Sequence, residues 1–189
     1  RGNSPWLIFA SSREVYGQQL TLPVPENAEL RPMNVYARSK ASGERMIREA
    51  RSAGARTAVL RFSSVYGSAD DHKDRVVPCF ARAALCGGTL SVEGGERCFD
   101  FTHVDDVVRG VRRTIEVLDH GDQLPDVHLV SGVPTTLQSL AERCIRLGGN
   151  RSSSRPREPR EYDVARFWGD TSRARSLLGW SSRISLDDG

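Results

Sequence analysis

Trp6-Leu7-Ile8-Phe9-Ala10-Ser11-Ser12, continued by Arg13-Glu14-Val15-Tyr16-Gly17, is the stretch on which the fold turns. A run of apolar residues closed by small polar ones reads as a strand buried on both faces, the pattern of a parallel sheet. Ligand sites in open α/β sheets lie at the carboxyl ends of strands. Ser11 and Ser12 therefore stand where chemistry is expected, with a hydroxyl able to bond a substrate oxygen.

Working outward, a proline-containing loop leads to a helix over 34–52 that ends before Gly54, a usual helix stop. Thr57 to Phe62 reads as a second strand. A helix near 76–86 follows, then short strands at 89–93 and 98–102 about Gly94-Gly95, which read as a hairpin. A helix over 105–118 is expected with Asp105 or Asp106 as its cap, then a strand at 127–130 and a helix at 136–147. Residues 148–161 read as loop, and a last helix over 172–178 stops at Gly179. Strands alternating with helices predict an α/β fold with parallel pairing.

Composition narrows the function. Of the 189 residues 27 are Lys or Arg and 24 Asp or Glu, a net charge of +3. The basic residues are interleaved with acidic ones rather than gathered into a stripe, which argues against a nucleic-acid partner. No apolar run approaches the roughly 20 residues of a membrane span. The four cysteines, Cys79, Cys86, Cys98 and Cys144, have no CxxC spacing and read as reduced core residues of a cytoplasmic protein, with no metal site.

Tyr36-Ala37-Arg38-Ser39-Lys40 lies on the predicted 34–52 helix. Residues at i and i+4 share one helix face, so the phenol and the ammonium point at the same place. A cation beside a phenol favours the phenolate, which tunes tyrosine for proton transfer.

Taken together, SSREVYG, YARSK, LRFSSVYG, FDFTHVDDV and GDTSRARSLLGW resemble, in order and spacing, the extended short-chain dehydrogenases. More narrowly they are similar to the NAD-dependent epimerase/dehydratase family that acts on sugar nucleotides. The resemblance implies the C-terminal part of a Rossmann-type doubly wound parallel sheet plus a small α+β substrate domain. It divides the chain into 1–66 with 103–133 for the former and 67–102 with 134–189 for the latter. It implies NAD as cofactor, leaving NADP open, a sugar-nucleotide substrate, and a homodimer in the intact protein.

Residue by residue, Ser12 matches the catalytic serine or threonine, Tyr36 the catalytic base, and Lys40 its partner. Ser11, Tyr36 and Lys40 fall among the cofactor contacts. Glu14 falls where dehydratases and decarboxylases carry an acid/base carboxylate, and alternation along a continuing strand would set it on the same face as Ser12. Ser64, Val76, Leu90, Val92, Arg97 and Arg160 fall at substrate-binding positions. The implied reaction is epimerisation through a transient 4-keto sugar, as in UDP-glucose 4-epimerases. A 4,6-dehydratase and a non-catalytic sugar-nucleotide-binding relative are the alternatives, and Arg13, where many dehydratases carry Asp, favours the epimerase.

Three departures stand out. Ser64 replaces the family's usual Asn, and Phe99 stands before Asp100 where Arg is usual. Both positions normally contact the substrate diphosphate. The glycine-rich turn that holds the cofactor pyrophosphate does not occur, so the chain is expected to be a fragment lacking the N-terminal part of the pattern.

Overall fold

The apolar run at the start of the chain forms β1 (Trp6–Ser12), and it pairs in parallel with β2 (Arg56–Phe62), Phe9 facing Val59. The computed structural model describes residues 5–68, 70–159 and 164–189. Helix α1 (Val35–Ser52) crosses between these two strands, and β6 (Val127–Leu129) adds to the far edge of β2, again in parallel. The order β1-β2-β6 is the parallel α/β sheet that the alternation of elements predicts.

Ala58 and Leu60 of β2 pack with Leu129 of β6 and with Leu118, Leu178 and Trp180 in one core. Each large apolar side chain withdrawn in this way contributes on the order of 1.5–3 kcal/mol. Leu118 belongs to α3 (Val104–Asp119) and Leu178 to α5 (Ser172–Leu178). The C-terminal helix and Trp180 thus pack on the first sheet, although the sequence division assigned them to the second unit.

A second small sheet places β5 (Cys98–His103) between β3 (Ser64–Tyr66), parallel, and β7 (Pro134–Thr136), antiparallel. Next to it α2 (Val76–Leu85) and α4 (Leu137–Leu147) enclose Phe80, Ala84, Leu90, Val92 and Leu140. β4 (Thr89–Glu93) pairs in parallel with β8 (Ser153–Arg157), not with β5. The expected hairpin at Gly94-Gly95 is therefore replaced by a turn between strands of different sheets, and part of the expected 148–161 loop is strand. Pairing with β4 satisfies the backbone groups along one edge of β8, whose own sequence, Ser-Ser-Arg-Pro-Arg, carries no strand pattern.

Two buried carboxylates tie the chain together. Asp100 accepts from the Ser131 and Gly132 amides, at 2.8 and 2.7 Å, and so binds β5 to the turn after β6. Asp106 accepts from the Arg183 and Ile184 amides, the Ser182 hydroxyl and the Arg109 guanidinium. Burial would raise its carboxyl, but these donors outweigh that and hold it below the usual carboxylate range. Its role is to anchor the C-terminal segment rather than to cap α3. The cap is His103, whose side chain accepts from the Asp105 amide.

The cysteines divide. Cys98 is buried and Cys144 half-buried, whereas Cys79 and Cys86 are exposed, so only part of the expected core placement holds.

Candidate active site

The site begins where β1 stops. Ser12 keeps extended backbone angles while its hydroxyl oxygen accepts from the Glu14 amide at 3.2 Å, capping a 3-10 turn over Arg13–Tyr16. Bound in this way, the Ser12 oxygen still has its own proton to donate. Gly17 closes the turn at φ +59°, and a Cβ there would lie 2.1 Å from the Arg31 carbonyl oxygen, so no side chain fits.

The turn also corrects the placement of Glu14. The strand does not continue past Ser12, so strand alternation does not govern Glu14. Its carboxylate instead accepts from the Asn34 side-chain amide at 2.8 Å. Asn34 uses its oxygen for a second task, capping α1 by accepting from the Ala37 amide at 2.7 Å. One residue thus starts the helix that carries Tyr36 and fixes Glu14 beside it. An Asn directly before the first helical residue is a cap signal that the sequence itself carries.

Tyr36 and Lys40 lie one turn apart on α1. The Lys40 ammonium donates to the Ala10 carbonyl at 2.9 Å and stands 5.6 Å from the Tyr36 ring centroid. It is thereby pinned between the end of β1 and Tyr36, a residue about half exposed at 49%.

Ser12, Glu14, Tyr36 and Lys40 border one open cavity of about 670 Å³, together with Arg13, Ser64, Arg75 and Val76. Ser11 borders it too, but its hydroxyl turns away and donates to the buried Glu44 carboxylate at 2.6 Å. That bond uses the hydroxyl proton and leaves the oxygen's lone pairs to accept.

A second cavity of about 400 Å³ adjoins the first, lined by Ser91, Glu93, Arg97, Phe99, Phe80 and Leu137 among others. Arg97 is part of its lining. Leu90 and Val92 are not: alternation along β4 buries both in the core, at 1% and 0% exposure, and presents Ser91 and Glu93 instead. Arg160 lies outside the described residues. Arg13, which no local sequence signal singles out as a wall of the site, lines both cavities and stacks its guanidinium 4.5 Å over the Phe99 ring.

A parallel α/β sheet with Ser, Tyr and Lys converging at the carboxyl end of one strand defines a short-chain dehydrogenase type of site. The family model for the NAD dependent epimerase/dehydratase family matches residues 2–129, and the chain belongs to that family. A putative UDP-glucose 4-epimerase of Methanocaldococcus jannaschii is 32% identical over 97% of this chain and 60% of its own length. The UDP-glucose 4-epimerase of Thermotoga maritima, solved with UDP-glucose, is 29% identical with a TM-score of 0.89, over 97% of this chain and 60% of that one. A dTDP-glucose 4,6-dehydratase of Streptomyces venezuelae, solved with NAD bound, is 28% identical with a TM-score of 0.85, over 97% of this chain and 57% of that one. The chain thus spans about 60% of the length of the relatives it matches. NAD is the cofactor of the family and is present in solved relatives.

Proposed function

We propose that this chain carries the substrate-facing part of an NAD-dependent sugar-nucleotide epimerase that works through a transient 4-keto sugar. The observation that supports it best is the convergence of Ser12, Tyr36 and Lys40 on one cavity, with Lys40 held in place by the Ala10 carbonyl. Tyr36 accepts the proton of the sugar hydroxyl, Ser12 donates to that same oxygen, and Lys40 supplies positive charge beside the tyrosine. When bound, NAD supplies the hydride acceptor at the sugar carbon and later the donor. The exposed Tyr36 hydroxyl and the Lys40 ammonium at the cavity wall suit the hydroxyls of a nicotinamide ribose, and they are the residues here that would hold it. A glycine-rich turn for the pyrophosphate does not occur in the sequence. On return of the hydride to the opposite face of the keto sugar, Tyr36 gives its proton back.

Glu14, on the wall of the same cavity, supports a second reading, a 4,6-dehydratase in which that carboxylate removes a proton beside the ketone. The proposal extends to a cytoplasmic homodimer. Val35 and Met46, both exposed and eleven residues apart on one face of α1, give it support, and sedimentation equilibrium reads the dimer directly.

Tyr36→Phe in the whole protein tests the reading, since it deletes only the phenolic oxygen. Turnover of UDP-glucose is expected to fall by about 10²–10⁴-fold, the usual share of general acid/base catalysis, with substrate affinity unchanged. Near-wild-type turnover overturns the assignment.

A further inference from the structure

Among the described residues four border both cavities: Arg13, Glu14, Ser64 and Val76. Arg13 is the one cation in that shared wall. We propose that Arg13 is the anion anchor of the site, gripping the diphosphate of a nucleoside-diphosphate sugar where it passes from one cavity to the other. The proposal rests on the sugar-nucleotide reading above and assigns a residue to it.

The topology of such a ligand matches the topology of the site. Its sugar belongs beside Ser12, Tyr36 and Lys40 in the larger cavity. Its nucleoside then falls in the smaller one, where Phe80, Phe99 and Leu137 give apolar wall and Ser91 and Glu93 give polar edges. The diphosphate joins the two parts and must cross the shared wall. There it meets the Glu14 carboxylate, and like charges at short range in a partly enclosed site repel. A guanidinium in the same wall offsets that repulsion and matches two phosphoryl oxygens with its rigid fork of N–H donors.

Arg13 is prepared for this task in two ways. Its guanidinium carbon lies 4.5 Å from the Phe99 ring centroid and 5.8 Å from that of Phe167. Stacking engages the faces of the guanidinium and orients its plane. Arg13 also sits in the 3-10 turn that Ser12 caps and Gly17 closes. The anchor and the serine that holds the reacting oxygen therefore move as one unit, which sets the reach from diphosphate to sugar carbon. Arg75 on the larger cavity and Arg97 on the smaller each border one side only.

The test is calorimetric titration of wild type, Arg13→Ala and Arg13→Lys with uridine, UDP, UDP-glucose and UDP-glucuronic acid, with near-UV circular dichroism confirming that the variants are folded. Arg13→Ala is expected to weaken UDP, UDP-glucose and UDP-glucuronic acid by one common factor, roughly tenfold to a hundredfold as for a charge-assisted hydrogen-bonded pair. Uridine binding stays unchanged, and Arg13→Lys recovers part of the loss. An equal loss for uridine would show that Arg13 only shapes the cavity, and would overturn the proposal. A loss confined to UDP-glucuronic acid would mean that it reads a sugar carboxylate instead, and unchanged affinities would also refute it. Wild type that binds none of the four ligands sinks this proposal and the sugar-nucleotide reading together. Turnover that survives Tyr36→Phe, by contrast, removes the catalytic assignment and leaves the anchor standing.

Discussion

Glu14 is the residue on which the choice between two reactions depends. Its carboxylate borders the cavity that Ser12, Tyr36 and Lys40 line and is held by the Asn34 amide at 2.8 Å. An epimerase needs only hydride transfer and proton exchange on a hydroxyl, for which Ser12 and Tyr36 suffice. A dehydratase must also break a C–H bond beside the ketone, and a carboxylate within reach is the natural base. Glu14→Gln keeps the shape and one acceptor for Asn34 while removing the base. In heavy water the whole protein bearing it is expected to lose little rate, with no deuterium on the sugar carbons by mass spectrometry. Carbon-bound deuterium in the wild-type product, together with a steep loss in the variant, would reverse the choice. The presence of Glu14 near Ser12 was legible from their spacing. Its orientation was not, because a 3-10 turn begins where a strand was expected to continue.

At the scale of elements, α3 is seated against β6 through a glycine. A Cβ on Gly110 would lie 2.7 and 2.8 Å from the two methyls of Leu129 and 3.1 Å from the Trp180 indole nitrogen. That nitrogen donates to the Asp106 carbonyl on the same helix at 2.9 Å, so helix, strand and C-terminal segment meet at one point. Gly110→Leu is expected to lower stability by about 1–3 kcal/mol through overpacking. Chemical denaturation followed by Trp fluorescence reads it, and an unchanged midpoint would mean that α3 does not sit this close. The existence of α3 could be read from its periodicity. Its close approach could not, since a glycine within a helical pattern carries no record of what it faces.

At the scale of the molecule, a buried polar network joins elements that the sequence keeps far apart. Arg61 of β2 binds both oxygens of Glu44 on α1, at 2.8 and 2.7 Å, and reaches Asp126 at 3.1 Å. It also donates to the Tyr16 hydroxyl, whose own proton then goes to His128 Nε2 at 2.6 Å. His128 Nδ1 is left to donate to the Asp170 carbonyl, and its main-chain amide to Glu26. Burial, reinforced by the Arg61 charge, pulls His128 down to about 3 from 6.5. The folded protein therefore refuses a proton that the unfolded chain accepts, and stability must fall as pH drops from about 6.5 toward 3. Asp106 and Asp170, both held low, act in the same direction at the acid end, while Glu26 and Asp100, raised by burial, oppose it. Subtracting a His128→Gln variant isolates the histidine. The wild-type denaturation midpoint is expected to decline more steeply than the variant's across that window, by one proton in the linkage slope. Parallel profiles would show that His128 takes up its proton without unfolding.

The sequence by itself determined the parallel α/β class, most of the helices, the position of Ser12 at a strand end, and the one helix face that Tyr36 and Lys40 share. These follow from features local to the chain: an apolar run that must be buried, caps and glycine stops, and four-residue spacing on a helix. Tertiary structure alone decided that β4 pairs with β8 and that Ser11 turns to Glu44. It also decided that Arg61 is buried inside a core strand and that Arg13 stands between two cavities. Each of these depends on which distant groups meet to satisfy a charge, a donor or an exposed strand edge, and local periodicity says nothing about such meetings.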